Sequence, residues 1–250
     1  MRDARGDSAL LYTRICRPAG NTPAPVVIIN HGTPPRAADR ATRQPTSCTG
    51  DAAQWFLQRG YMVVAAMRRG YGRSVGAYAE TAGQCSAAEF VRSAREAARD
   101  IEAIVTYAAA LPYARPGGMV MVGQSTGGWS TLGYNGVPHP RVSAMINMAG
   151  GRGGHFNQVP NNNCRPDQLA IAAGDLGRTA TTPMLWVYTQ NDSYFGPALA
   201  TAMHTAFTSA GGVAAMVLLP PFAADGHTLF FAKGGSEIWG PLVERYLATR

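Results

Sequence analysis

The chain has 250 residues, a formal net charge of +7, and 46% hydrophobic against 15% charged residues. Such a composition can bury a sizeable core and excludes a disordered chain, and no run approaches 18 uncharged apolar residues, so no membrane-spanning helix is expected. The positive charge is almost all arginine and is scattered; its densest groups, PPRAADRATR and MRRGYGRS, are not basic blocks with interleaved aromatics, so a solvated basic surface is expected and no nucleic-acid partner.

In chain order, MRDARGDSALLY lacks the apolar core of a signal peptide. ALLYTRICRP (Ala9 to Pro18) reads as an early strand. PVVIIN (Pro25 to Asn30) is a continuous β-branched run suited to a strand covered on both faces, and it ends at the turn HGTPP. DAAQWFLQRG (Asp51 to Gly60) reads as a helix closed by glycine, and YMVVAAM (Tyr61 to Met67) as a buried strand running into RRGYGRSVGAY. A long helix is expected from Ser86, with Ser86 and Glu89 as a capping box; Phe90, Ala94, Ala97, Ile101, Ile104, Val105 and Ala108 lie on one face, and Pro112 marks the stop.

The strand GMVMVG and the helix beginning TGGWSTLGYN follow, then the strand RVSAMINMAGG (Arg141 to Gly151). Residues 151–181 read as a loop with a possible helix at PDQLAIAAG. TPMLWVYTQND (Thr182 to Asp192) is a strand, PALATAMHTAFTSAGG a helix, VAAMVLLPP a strand and GGSEIWGPLVERYLA a closing helix. Alternating strands and helices predict an α/β fold with a mostly parallel sheet of about 7–8 strands covered on both faces. The expected organisation is one domain over residues 1–250, with 151–181 a short cap-like insertion or loop.

Between a buried strand and a helix stands Gly123-Gln124-Ser125-Thr126-Gly127, the Gly-x-Ser-x-Gly pattern of a nucleophile elbow. A serine hydroxyl needs a base. Of five histidines, His227 follows the last strand and precedes the last helix. His31 is read as organising its turn, His139 as a surface loop residue, His204 as helical, and His155 as a loop residue able to line a pocket. Asp192, ending a strand on the edge where open α/β sheets collect their sites, is the expected partner of His227, with Asp225 and Asp175 as weaker rivals. The order Ser125, Asp192, His227 is that of one hydrolase class. An oxyanion hole would use the amides of Thr33 and Thr126.

NHGTPP, MRRGYGRS, GQSTGG, QNDSYF and DGH, in this order and spacing, resemble the α/β-hydrolase superfamily, in its dienelactone-hydrolase-like branch of serine esterases and peptidase-like hydrolases. The resemblance covers the chain from about residue 9 onwards. It implies the α/β-hydrolase fold, ester cleavage through an acyl-enzyme on a Ser-His-Asp triad, a small-molecule ester substrate, and no cofactor or metal. Dienelactone hydrolases proper resemble this chain but carry cysteine at the elbow; Ser125 favours ordinary ester hydrolysis. The alternatives are an amidase or small-peptide hydrolase with the same residues, and a non-catalytic binding protein that kept the fold. Candidate substrate-binding residues are Tyr71, Trp129, His155, Tyr194 and Phe222, with Phe195 as a further aromatic wall.

The four cysteines, Cys16, Cys48, Cys85 and Cys164, have neither CxxC spacing nor a zinc-like grouping. Cys48, Cys85 and Cys164 sit in turn-rich stretches. Either two of these three form a disulfide, which points to a periplasmic or secreted protein, or all four thiols are free, which suits the cytoplasm.

Overall fold

The computed structural model describes residues 10–250. Its sheet has seven strands: β1 (Thr13–Cys16), β2 (Val26–Asn30), β3 (Met62–Ala66), β4 (Met119–Gln124), β5 (Val142–Met148), β6 (Met184–Thr189) and β7 (Ala214–Leu219). They lie in the order β1-β3-β2-β4-β5-β6-β7; β1 runs antiparallel to β3 and every other pair is parallel. The strand expected from Ala9 to Pro18 is reduced to four residues. It is an edge strand, and only Thr13 to Cys16 find partners on β3; Ala9 lies outside the described residues.

The helices are α1 (Asp51–Gln58), α2 (Phe90–Ala109), α3 (Thr126–Asn135), α4 (Pro166–Gly177), α5 (Pro197–Ser209) and α6 (Gly235–Leu247). Alternation along each strand divides the core in two. Val26 and Ile28, Met62 and Val64, and Met119 and Met121 face α2 to α5, with Phe90, Ile101, Leu132 and Phe207 packed among them. Val27 and Ile29, Val63, and Val120 and Val122 face α1 and α6, where Trp55, Phe56 and Trp239 form an aromatic cluster. β2, β3 and β4 are buried throughout, as continuous apolar runs require of a doubly covered sheet.

α2 begins at Phe90, four residues later than expected. Ser86 lies in the 3₁₀ turn Cys85–Ala87, and the Glu89 carboxylate receives Arg92 Nε at 2.8 Å instead of closing a capping box. Cys85 is drawn away by a disulfide to Cys164, and Cys16 is bonded to Cys48. Two disulfides thus stand where one or none was expected, and Cys16, which was not among the three cysteines in turn-rich stretches, is half of a pair: the edge position of β1 puts it within reach of the loop before α1. No helix among the described residues is long and apolar enough to cross a membrane.

This topology decides where chemistry can occur. With β2 to β7 parallel, the segments leaving β2, β4, β6 and β7 all emerge on one edge of the sheet. They carry the His31-Gly32-Thr33 turn, Ser125, Asp192 and His227 in that order.

Candidate active site

Ser125 stands between β4 and α3 with φ 57° and ψ −125°, a backbone conformation that a non-glycine residue adopts only when its surroundings impose it. Three backbone hydrogen bonds impose it here. Ser125 N–H donates to Met148 O at 3.0 Å, and Ser125 O accepts from Trp129 N–H at 3.1 Å and Gly151 N–H at 3.2 Å. The flanking glycines are required by close approach. A Cβ on Gly123 would sit 2.1 Å from Gly127 O, and one on Gly127 would sit 2.2 Å from Asn30 O. The sequence pattern is therefore a packing requirement of the strand-turn-helix junction, which lifts the serine off the sheet edge.

On one side of Ser125, the HGTPP turn is bound to a buried charge network. Thr33 Oγ1 lies 2.7 Å from Tyr71 Oη and 2.8 Å from Thr126 Oγ1, and Tyr71 Oη donates to Glu80 Oε1 at 2.6 Å. The proton order follows. Tyr71 spends its proton on the carboxylate, so Thr33 donates to Tyr71 and Thr126 donates to Thr33. Both threonine protons are thus passed towards Glu80. The Thr126 amide, at the first position of α3, has no intrahelical acceptor, and the Thr33 amide has no partner among the described residues.

Glu80 also receives Arg68 through Nε and, at 3.1 Å, Nη2, and Arg152 Nη1 lies 3.6 Å away. Burial pushes the Glu80 carboxyl up, but the Arg68 guanidinium outweighs it and holds the group at about 2. Burial and then Glu80 push the Tyr71 hydroxyl up, so it stays protonated as the chain requires. His31 accepts from Arg68 N–H through Nε2 at 3.1 Å and bonds Gly32 O through Nδ1 at 2.9 Å. Burial first, and Arg68 next, lower it to about 3, so it is neutral and organises the turn.

On the other side, His227 lies in the 3₁₀ turn Gly226–Thr228. Its Nδ1 is 3.1 Å from both carboxylate oxygens of Asp192. A carboxylate only accepts, so Nδ1 carries the proton and Nε2 is left with a lone pair. Asp192 is itself fixed: its Oδ1 accepts from Tyr194 N–H at 2.8 Å and Phe195 N–H at 2.9 Å. Gln124, the residue before Ser125, donates from Nε2 to His227 O at 2.9 Å and so joins the elbow to the histidine turn. Asp225, the rival acid, accepts from His227 N–H, Ser193 N–H and Ser193 Oγ rather than from an imidazole. Asp175 is paired with Arg178 on an exposed helix surface.

Ser125, Thr126 and Thr33 open onto a cleft of about 400 Å³, within the range of small-molecule sites. The aromatic walls are only partly those expected. His155, Tyr194 and Phe195 line it. Tyr71 is fully buried and turned towards Glu80. Trp129 is spent in the core, its Nε1–H donating to Phe90 O at 2.9 Å. Phe222 packs on the α1/α6 side of the sheet. His139 is not a surface residue; it is buried, with Nε2 2.8 Å from Thr182 Oγ1. Residues that sequence reasoning missed are Glu80, Arg68, Arg152 and Ser193. An acid twelve positions after an arginine at a strand end was a signal for the first pair, but loop charges carry no periodicity to mark them.

The profile of the S15 family, described as X-Pro dipeptidyl-peptidase, matches residues 7–183, more than half of the chain. The chain belongs to this family. The matched stretch contains the HGTPP turn, Arg68, Glu80 and the Ser125 elbow; Asp192 and His227 lie beyond it. No curated protein matches the chain. Among solved structures it is similar to a Klebsiella pneumoniae protein assigned as a dienelactone hydrolase, at 15% identity and TM-score 0.62, covering 96% of this chain and 93% of that one. It is similar to Est1E of Butyrivibrio proteoclasticus, solved with ferulic acid bound, at 17% identity and TM-score 0.61, covering 95% and 96%. It also resembles dipeptidyl peptidase 4 of Porphyromonas gingivalis at 15% identity and TM-score 0.66, where 99% of this chain corresponds to 34% of that one. The S15 chain thus has the α/β-hydrolase fold and is dienelactone-hydrolase-like in architecture.

Proposed function

We propose that the protein is a serine hydrolase of small carboxylic esters. The observation that carries this reading is the imposed backbone of Ser125, held at φ 57° on the rim of the cleft, on the same sheet edge as a histidine whose tautomer is fixed by Asp192. Ser125 Oγ attacks the acyl carbon as His227 Nε2 takes its proton. Asp192 holds the ring and stabilises the imidazolium. The Thr33 and Thr126 amides receive the developing oxyanion. His227 returns the proton to the leaving alkoxide, and a water, activated in the same way, releases the acid.

Family membership favours a second reading, cleavage of a peptide bond next to proline. The lining of the cleft supports the ester. An enzyme that releases dipeptides must hold a free ammonium group, and the charged residues lining this cleft are Arg40 and Arg152. The two disulfides suit an oxidising compartment. The deciding measurement is hydrolysis of p-nitrophenyl acetate, butyrate and octanoate, and of a Xaa-Pro p-nitroanilide, by wild type and Ser125→Ala. Ester turnover that falls about 10³-fold or more in the variant is expected. Anilide turnover exceeding ester turnover favours the peptidase, and equal feeble rates in both proteins would leave only a binding protein.

A further inference from the structure

We propose that His155 is a substrate-binding residue whose Nδ1 accepts a hydrogen bond from a neutral donor, a hydroxyl above all, on the acyl part of the substrate. The inference deepens the ester-hydrolase reading and rests on it in that the ligand enters the cleft of Ser125. His155 and Ser125 line the same cleft.

The protonation of His155 follows from its neighbours. His155 Nε2 lies 2.8 Å from Ser193 Oγ, and Ser193 Oγ lies 2.6 Å from Asp225 Oδ2. Asp225 Oδ1 further accepts from Ser193 N–H at 3.1 Å and His227 N–H at 3.0 Å. Burial pushes the Asp225 carboxyl up, but the hydrogen bonds from Ser193 and His227 prevail and hold it below the usual range, so it is an acceptor only. Serine has one proton, and it goes to Asp225. Ser193 Oγ must then accept from His155, so Nε2 carries the ring proton. In the neutral ring, Nδ1 keeps a lone pair, and it has no partner among the described residues.

The ring is also fixed in space. It stacks on Tyr194 with centroids 3.5 Å apart and planes 5° from parallel, and Tyr194 stacks in turn on His227 at 4.2 Å. The His155 backbone is left-handed, φ 54° and ψ 41°, and the turn that follows is closed by Gln158 N–H to His155 O at 2.8 Å and Phe156 N–H to Asn162 O at 2.7 Å. A strained backbone, a parallel stack and a carboxylate-anchored hydroxyl all act on one side chain at the cleft. Packing alone has no use for an imidazole whose tautomer is set and whose second nitrogen has no partner among the described residues.

The test compares ethyl butyrate and hexanoate with their 2-, 3- and ω-hydroxylated counterparts, using wild type, His155→Phe, Ser193→Ala and Ser125→Ala. Phenylalanine keeps the stack and removes the acceptor. At least one hydroxylated ester should have a higher kcat/KM than its parent in wild type. That ratio should fall about three- to tenfold in His155→Phe, mostly through KM, and by less in Ser193→Ala. Ring-nitrogen NMR at about pH 8, where an ordinary imidazole is neutral, should show His155 protonated at Nε2, with Nδ1 shifting when the hydroxylated acid is added. No hydroxyl preference in wild type, a ratio unchanged in His155→Phe, or a proton on Nδ1 would each overturn the proposal. Wild-type ester rates retained in Ser125→Ala would sink the nucleophile reading alone, and the NMR measurement would still decide on His155.

Discussion

The two sides of Ser125 are built differently. On the HGTPP side, Arg68 and Glu80 are buried to 0% and 3% exposure, and every hydroxyl from Thr126 to Tyr71 hands its proton inward to one carboxylate. On the His227 side, two carboxylates, Asp192 and Asp225, hold loops that follow β6 and β7, and the wall beside them is a segment with four non-glycine residues at positive φ between His155 and Asn161. The S15 match, which ends at residue 183, includes the first side and the His155 to Asn161 segment but neither Asp192 nor Asp225. The first side is continuous with the core; the second is hung from it. Damage to the first should therefore be felt as lost stability, and damage to the second as altered substrate handling.

The sharpest way to break this contrast is a pair of like substitutions. Glu80→Gln leaves Arg68 buried without its counter-charge, a loss of about 3–5 kcal/mol in urea unfolding at pH 7. Asp225→Asn makes the same change of atoms on the half-exposed side, where water can replace the lost charge, and should cost clearly less. Equal losses would mean that the two sides are equally part of the core.

The disulfides sharpen the same contrast at smaller cost. Cys85 and Cys164 both line the cleft and join the approach to α2 to the segment after β5, whereas Cys16–Cys48 ties the edge strand to the loop before α1. Removing either pair as a double serine variant should cost about 2–4 kcal/mol of stability. Only the Cys85/Cys164 variant should also raise KM, by about threefold or more, since a wall of the cleft is released. A KM change in the Cys16/Cys48 variant alone would reverse the assignment.

How much of this was legible in the sequence depends on whether the signal was local. Strands β2 to β4 could be read directly, because a doubly covered strand is a nearly unbroken run of apolar residues. The Ser125 elbow could be read because glycine at 123 and 127 answers to contacts inside one strand-turn-helix unit. The start of α2 could not: Ser86 and Glu89 satisfy the capping pattern, and a disulfide to a residue 79 positions away overrides it. The place of Tyr71 was hidden for a different reason. Its partner Glu80 is nine residues on in the same loop, but an irregular loop has no periodicity to mark which hydroxyl meets which charge. Asp225 was legible as a loop residue and no more, because its partners come from the far end of β6.

The smallest expected effect lies on the buried side and concerns pH. His31 is neutral in the fold, lowered to about 3, against 6.5 for an ordinary imidazole. Between these values the unfolded chain binds a proton that the fold refuses, so stability rises with pH and is lost as pH falls from 6.5 towards 3. Glu80 works at lower pH. Its folded value of about 2 lies below the ordinary 4.5, so its contribution is present above 4.5 and is lost as pH falls through 2. From pH 6.5 to 4.5 His31 therefore acts without Glu80. Full neutrality in the fold limits its slope to about 1.4 kcal/mol per pH unit, and a difference of about 2 kcal/mol should accumulate over the window. His31→Gln can still accept from Arg68 N–H but cannot titrate. Urea unfolding of both proteins from pH 7.5 to 4.5 should give a flatter curve for the variant, with the gap confined below pH 6.5. Parallel curves would mean that the imidazole is protonated without opening the turn, and the locked character assigned to this side of Ser125 would not stand.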